Sequence, residues 1–289
     1  MRIGYIANHG CGGNDDEGAI AHALRELGHD VQPLRESRAS QARNLRCDVV
    51  LFHKWEIPER LHVPSVFWYF DLVDFPDPSL AGRNKTRLKW MRNVLPRVDI
   101  GFCTDGDWVN ADTTGKLVYL PQGADERVVG RASADVAHRV LFTGIRAGGG
   151  RGRVSFVDEM AAKYGNSFYH VSKGVHGRAM AELIAQSHVV VAPDSPVTDR
   201  YWSNRVFNVL GFGGFLMHPH CKGLTEFYED GKELLMYRSR EELHKLIESA
   251  SPAQAEAVAR AGLERTMREH LYRHRCEKMV QIIKERLHV

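Results

Sequence analysis

The residues best suited to chemistry lie in "SNRVFNVLGFGGFL", residues 203 to 216, where Arg205 and Asn208 stand on a short apolar segment that runs into three glycines in four positions. Glycines after a helix permit positive φ and the close approach of another chain or a ligand, so polar groups on the last turn can face a bound molecule. Upstream, "GIRAGGGRGR" (144 to 153) combines flexible backbone with Arg146, Arg151 and Arg153. Guanidinium groups meet phosphate oxygens in bidentate geometry. The loop lacks the Gly-Lys-Ser/Thr ending of a Walker loop, which argues against ATP hydrolysis of that type. An exposed, solvated loop is the plainer reading.

A second glycine cluster, "HGCGGND", follows the first expected strand, but Asp15 stands where a dinucleotide fingerprint carries its third glycine. Asp15, Asp16 and Glu17 would suit the dipole of the helix they begin and repel a pyrophosphate seeking the same place. A turn that simply needs glycine accounts for the cluster equally well. Metal chemistry finds little support. "HLYRH" (270 to 274) spaces two histidines by one helical turn without the glutamate of a zinc-protease motif, "HPH" (218 to 220) has no third ligand, and Asp105-Gly106-Asp107 reads as a turn. No Gly-x-Ser-x-Gly is present for serine hydrolysis.

These groups must be held by elements, and the sequence marks them. "RIGYIAN" reads as a buried strand, and a helix follows with Asn14 as N-cap, Glu17 three residues later and Gly28 past its end, burying Ile20, Leu24 and Leu27. "HDVQPLRE", "CDVVLFHKW", "VPSVFWYF", "VDIGFCTD" and "KLVYLPQGAD" continue as short apolar runs between polar or helical stretches, the alternation of a parallel, doubly wound sheet. After an aperiodic segment (126 to 139) the alternation restarts with "VLFTGIRAGGGRGR", "NSFYHVS", "VVVAPDS" and "GFLMHPH", so a second α/β domain is expected from about residue 139. Ser251, Pro252 and Gln254 mark another helix start, with helical periodicity running almost to Val289.

The 289 residues suffice for one large or two modest domains, and 43% hydrophobic with 26% charged content is that of a globular chain. A net charge of +3 permits a nucleic-acid or membrane-surface partner without demanding one. Five scattered cysteines with no Cys-x-x-Cys pair speak against a disulfide framework or structural zinc and fit a reducing cytoplasm. No run approaches the roughly 20 apolar residues of a membrane span, so an unprocessed soluble protein is expected.

Taken in order, "VLFTGIRAGGGRGR", "VHGRAMAELIAQSHVVVAPDS", "SNRVFNVLGFGGFL", "GLTEFYEDGKELLMY" and "REHLYRHR" resemble the C-terminal domain of GT-B fold glycosyltransferases, nearest to the spore-maturation-protein-like, group 1 type. The resemblance spans roughly residues 139 to 289. It implies two Rossmann-like, doubly wound domains facing a cleft: 1–138 on the acceptor side, and 139–289 holding a nucleotide sugar, its final helix crossing back. It implies a UDP-sugar donor held along residues 144 to 153 and 193 to 208, with Ser195 in that stretch. Arg146 and Arg151 would occupy the places of the pair that grips the diphosphate, and Arg205 that of the basic residue of the sugar-side helix. Asn208 stands where many relatives carry a glutamate, a departure that leaves open a non-catalytic nucleotide- or carbohydrate-binding domain. "LPQGAD" (120 to 125) resembles the stretch leading into the interdomain linker, and Gly12 and Gly13 would face the sugar and diphosphate.

Transfer would leave a diphosphate with added negative charge, which arginines can oppose without a metal cofactor. If configuration inverts, a domain-one base must take the acceptor's proton, and Asp71, ending "VFWYFD", is the expected group, with His9 and Asp74 behind it; if configuration is retained, no such base is needed. An Asp capping the next turn is the alternative. Finally, "GRNKTRLKWMRNVLPR" (82 to 97) carries Arg83, Lys85, Arg87, Lys89, Arg92 and Arg97 without one acid. A solvated helix explains it, or an anionic acceptor, either a phosphorylated glycan or duplex DNA with a hydroxymethylated base, Trp90 being available for stacking.

Overall fold

The computed structural model describes residues 1–9, 15–53, 57, 59–74, 81–146, 150–172, 174–193 and 197–289, with the backbone alone at 150 and 151. The chain forms two compact units, Met1–Gln122 together with Tyr272–Val289, and Gly123–Leu271. This division differs from a boundary at 138/139 with the tail in the second domain. The reason lies in the last helix, whose apolar stripe packs into the core of the first unit.

In the first unit, β1 (Arg2–Ala7), β2 (Asp30–Arg35), β3 (Val49–His53), β4 (Ser65–Tyr69), β5 (Ile100–Cys103) and β6 (Leu117–Tyr119) form one parallel sheet in the order β2-β1-β3-β4-β5-β6. Both faces are covered, which is why the strands read as unbroken apolar runs. With the two-residue period of a strand, Ile3, Tyr5, Leu51 and Trp68 turn to one face, while Ile6, Val50, Phe52, Phe67 and Tyr69 turn to the other. α1 (Asp16–Glu26) and α9 (Tyr272–Leu287) cover the first face through Ile20, Leu24, Met279 and Ile283. α2 (Ala81–Val94) covers the second through Met91 and Val94. α1 starts one residue later than the sequence suggests. Asp15 is the N-cap, its carboxylate accepting from the Gly18 amide at 3.0 Å, and Asn14 lies outside the described residues. Asp105 likewise caps α3 (Gly106–Asn110), so the Asp-Gly-Asp turn is a helix start.

The second unit repeats the architecture with β7 (His138–Thr143), β8 (Phe168–Val171), β9 (Ser187–Val191), β10 (Leu216–Pro219) and β11 (Leu235–Tyr237), all parallel, in the order β11-β10-β9-β7-β8. Its helices are α4 (Gly150–Tyr164), α5 (Gly177–Ala185), α6 (Arg205–Gly211), α7 (Arg240–Ser249) and α8 (Pro252–Glu269). The expected cap of α8 forms, Ser251 Oγ accepting from the Gln254 amide at 3.2 Å with Pro252 at the first helical position. The helical periodicity toward the C-terminus is interrupted at His270 and Leu271, where Leu271 bridges to Ala124. The glycines after α6 serve packing and closure of that helix. Gly213 takes φ +69, and a Cβ on Gly214 would meet Ile184 Cγ2 at 2.7 Å.

Candidate functional site

In an open parallel sheet the crevice outside the carboxyl ends of the strands, where the strand order reverses, is the place a ligand finds. In the second unit that point lies between β7 and β9, and Arg205 is anchored there. Its Nε donates to the Thr143 carbonyl at the end of β7 at 2.5 Å, Nη1 donates to Ser203 Oγ at 3.1 Å, and the guanidinium lies 5.2 Å over the Phe142 ring. The next residue, Gly144, has φ +150, and a Cβ there would come within 2.6 Å of Arg205 Nη2. Glycine is therefore what lets the arginine reach the strand end. Asn208, one turn further along α6, is half-buried, its backbone amide donating to the Asn204 carbonyl at 3.0 Å.

Arg146 lies apart from this arrangement, its Nη2 donating to both carboxylate oxygens of Asp158 at 2.6 and 2.8 Å. Both partners are half exposed, so solvent screening leaves the pair worth less than about 1 kcal/mol and cheap to exchange. The Arg151 side chain, Ser195, Gly12 and Gly13 lie outside the described residues.

A pocket of about 240 Å³ opens at the carboxyl ends of β9, β10 and β11 beside the first turn of α4, lined by Arg153, Phe156, Pro193, Tyr237, Arg238 and Arg240 among others. Arg240 is fixed, donating from Nη2 to Ser155 Oγ at 2.7 Å and to the Gly152 carbonyl at 3.1 Å, and ion-pairing with Glu159. Burial pushes the Glu159 carboxyl up, but His244 at 2.8 Å and Arg240 outweigh it and hold the group below its usual range. The sequence carried a signal for this corner, Ser239 three residues before Glu242: Ser239 Oγ caps α7 by accepting from the Glu242 amide, and the Glu242 carboxylate reaches back to the amide of Arg238, the residue before the cap.

In the first unit Asp71 follows β4 with Oδ2 3.5 Å from Arg87 Nη2, and Arg87 also donates to the Leu72 carbonyl at 2.5 Å. Of the groups expected behind it, Asp74 is exposed and His9 is bonded to the Tyr5 carbonyl at 3.0 Å. Buried Asp105 accepts from the Val73 and Trp108 amides; burial nevertheless raises its carboxyl pKa. The strand order reverses between β1 and β3, and there Glu17 Oε1 lies 3.5 Å from Nε2 of the buried His53. Sequence reasoning saw Glu17 only as a charge on a helix start.

The cations of α2 are sorted by face. Arg87 and, just beyond the helix, Arg97 bond to backbone carbonyls, whereas Lys85, Lys89 and Arg92 share one exposed face. Trp90 is stacked on Tyr69 at 5.2 Å and edge-on to Phe67 at 5.7 Å, so it packs against the core and offers no stacking platform. Among the described residues, no group of three His, Cys, Asp or Glu could hold a metal ion, and no helix is long and apolar enough to cross a membrane.

Residues 149–281 match the family model described as Glycosyl transferase-like. Sucrose-phosphate synthase from Thermosynechococcus elongatus superposes with a TM-score of 0.71 at 11% identity, covering 99% of this chain and 98% of that one. HepE from Anabaena, solved in complex with UDP, gives 0.66 at 10% identity over 99% and 100% of the two chains. An E. coli protein described as trehalose-6-phosphate, bound with UDP-2-fluoro glucose, gives 0.65 at 11% identity over 98% and 99%. No curated protein matches the chain in sequence. The fold is GT-B, with two Rossmann-like units, and the glycosyl transferase-like match lies almost wholly in the second of them.

Proposed function

We propose that the protein transfers a sugar from a nucleoside-diphosphate sugar, UDP being the nucleotide, to a hydroxyl acceptor, and that it does so without a divalent metal. The observation that carries the donor side is Arg205, anchored on the end of β7 where the strand order reverses. Arg146, Arg151, Ser195 and Asn208 act with it, and Arg153, Arg238 and Arg240 bring further positive charge to the neighbouring pocket. Preorganised guanidinium groups oppose the charge that grows on a departing diphosphate at no reorganisation cost, which is the work a metal would otherwise do. HepE bound to UDP and to UDP-glucose supports UDP as the nucleotide. The first unit receives the acceptor, and Lys85, Lys89 and Arg92 favour an acceptor that carries negative charge, a phosphorylated glycan ahead of duplex DNA. A cytoplasmic setting accords with cysteines that form no disulfide among the described residues.

A thermal-shift screen across nucleoside diphosphates, followed by sugar-nucleotide turnover with and without EDTA, tests this reading. UDP should raise the melting temperature more than GDP, and EDTA should leave most of the turnover. Loss of turnover in chelator, restored by manganese or magnesium, would refute metal independence.

A further inference from the structure

Three acids open α1, and the structure accounts for two of them. Asp15 caps the helix through the Gly18 amide, and Asp16 accepts from the Tyr272 hydroxyl at 2.9 Å. Glu17 has neither duty. Its carboxylate is 16% exposed and lies 3.5 Å from Nε2 of His53, whose side chain is 1% exposed at the end of β3. The His53 ring packs edge-on against Phe70 at 4.5 Å and Tyr5 at 6.4 Å. A second observation points to the same spot. The Tyr5 hydroxyl is wholly buried and has no hydrogen-bond partner among the described residues; burial raises its pKa well above the usual value, and Glu17 is the charge that adds most to that shift.

Placing a carboxylate against a buried imidazole and an unmatched phenol costs folding energy, because polar groups lose water there without full compensation. The arrangement lies where β1 and β3 part, the ligand crevice of a sheet with this strand order. Asp71 stands one strand further on, its carboxylate 3.5 Å from the Arg87 guanidinium.

We infer that Glu17 takes the proton of the acceptor hydroxyl during sugar transfer, with His53 positioning its carboxylate from behind; this rests on the glycosyl-transfer reading above. In the step, the acceptor oxygen forms its bond to the anomeric carbon as its proton passes to the Glu17 carboxylate. The bond from the anomeric carbon to the diphosphate oxygen breaks, and the diphosphate leaves with the electron pair. The proton then passes from Glu17 to water along its exposed edge. His53 is a positioning residue: its ring is too deeply buried to touch an acceptor, and its Nε2 edge lies 3.5 Å behind the carboxylate.

The test compares Glu17→Gln, Asp71→Asn, His53→Leu and His53→Gln, reading kcat for sugar transfer and, separately, UDP affinity by calorimetry. Glu17→Gln should lower kcat on the order of 100- to 10,000-fold and leave UDP affinity unchanged, since donor binding belongs to the other unit, while an unchanged far-UV circular dichroism melting curve reports that the first unit is folded. His53→Leu should lower kcat up to about 100-fold through misplacement, and His53→Gln, which keeps an N–H donor, should recover most of it. Glu17→Gln with kcat within a few-fold of the unmodified enzyme overturns the inference, as does a large loss confined to Asp71→Asn. Equal losses in both His53 variants overturn the positioning role. Absence of UDP binding by every protein, the unmodified one included, would remove the glycosyl-transfer reading and this inference with it.

Discussion

At the carboxyl end of the first sheet Glu17 approaches His53 and Asp71 approaches Arg87, whereas at the corresponding end of the second sheet Arg205 rests on the Thr143 carbonyl and Arg153, Arg238 and Arg240 line a pocket. Both crevices arise from the same topology, a parallel sheet whose strand order reverses once. The backbone therefore supplies a place in each unit, and side chains alone decide its chemistry. One place holds carboxylates and imidazoles, suited to moving a proton; the other holds guanidiniums, suited to a phosphate.

The sharpest way to break this contrast is Arg205→Ala. Loss of a charge-assisted contact should weaken UDP binding by about 1 to 3 kcal/mol, read by calorimetry, and unchanged affinity would take Arg205 out of the site. Gly144→Ala probes the same corner from the backbone. An alanine at φ +150 is strained and its Cβ crowds the guanidinium, so the melting temperature and UDP affinity should fall together, with a stability loss of about 1 to 3 kcal/mol. A fall in affinity alone would mean that the loop absorbs the strain.

A smaller effect is expected on the acceptor side. Reversing the charge of Lys85, Lys89 and Arg92 should raise KM for a phosphorylated acceptor, more at low salt than at high, while KM for the donor stays put. An unchanged KM for that acceptor would return α2 to the role of a solvated helix. The smallest effect belongs to Glu159, the support of Arg240. Its carboxyl is held below the usual value of 4.5, so the stability it contributes is present above that value and is lost as pH falls through the depressed one. Unfolding free energies of the unmodified protein and Glu159→Gln should differ by less than about 1 kcal/mol at neutral pH, after screening of this part-exposed group, and converge in acid.

The strands could be read from sequence because both faces of each sheet are buried, which leaves unbroken apolar runs such as "VVLFH" and "SVFWY". Arg205 was noticed for a local reason, since it opens the short helix that the glycines close. Other parts of the sites depend on pairings made by the fold. Glu17 meets a histidine on β3, Arg146 turns to Asp158 on α4, and Arg240 meets residues of α4 more than eighty positions earlier. No periodicity encodes such meetings. The unit boundary was hidden for the same reason: the apolar stripe of α9 announces a buried helix without naming the sheet that buries it.

That last helix also sets the order of events as the chain is made. The Tyr272 hydroxyl reaches Asp16 across 256 positions, and closing a loop of that length costs about 5 kcal/mol of chain entropy. Ile20 and Leu24 belong to a core completed by Met279 and Ile283. At about 5 to 20 residues per second of synthesis, the first unit waits on the order of ten to thirty seconds for its final helix, whereas residues 123–271 are contiguous and can close without it. The first unit is thus begun first and finished last, and its apolar face depends in the interval on whatever in the cell shields nascent chains.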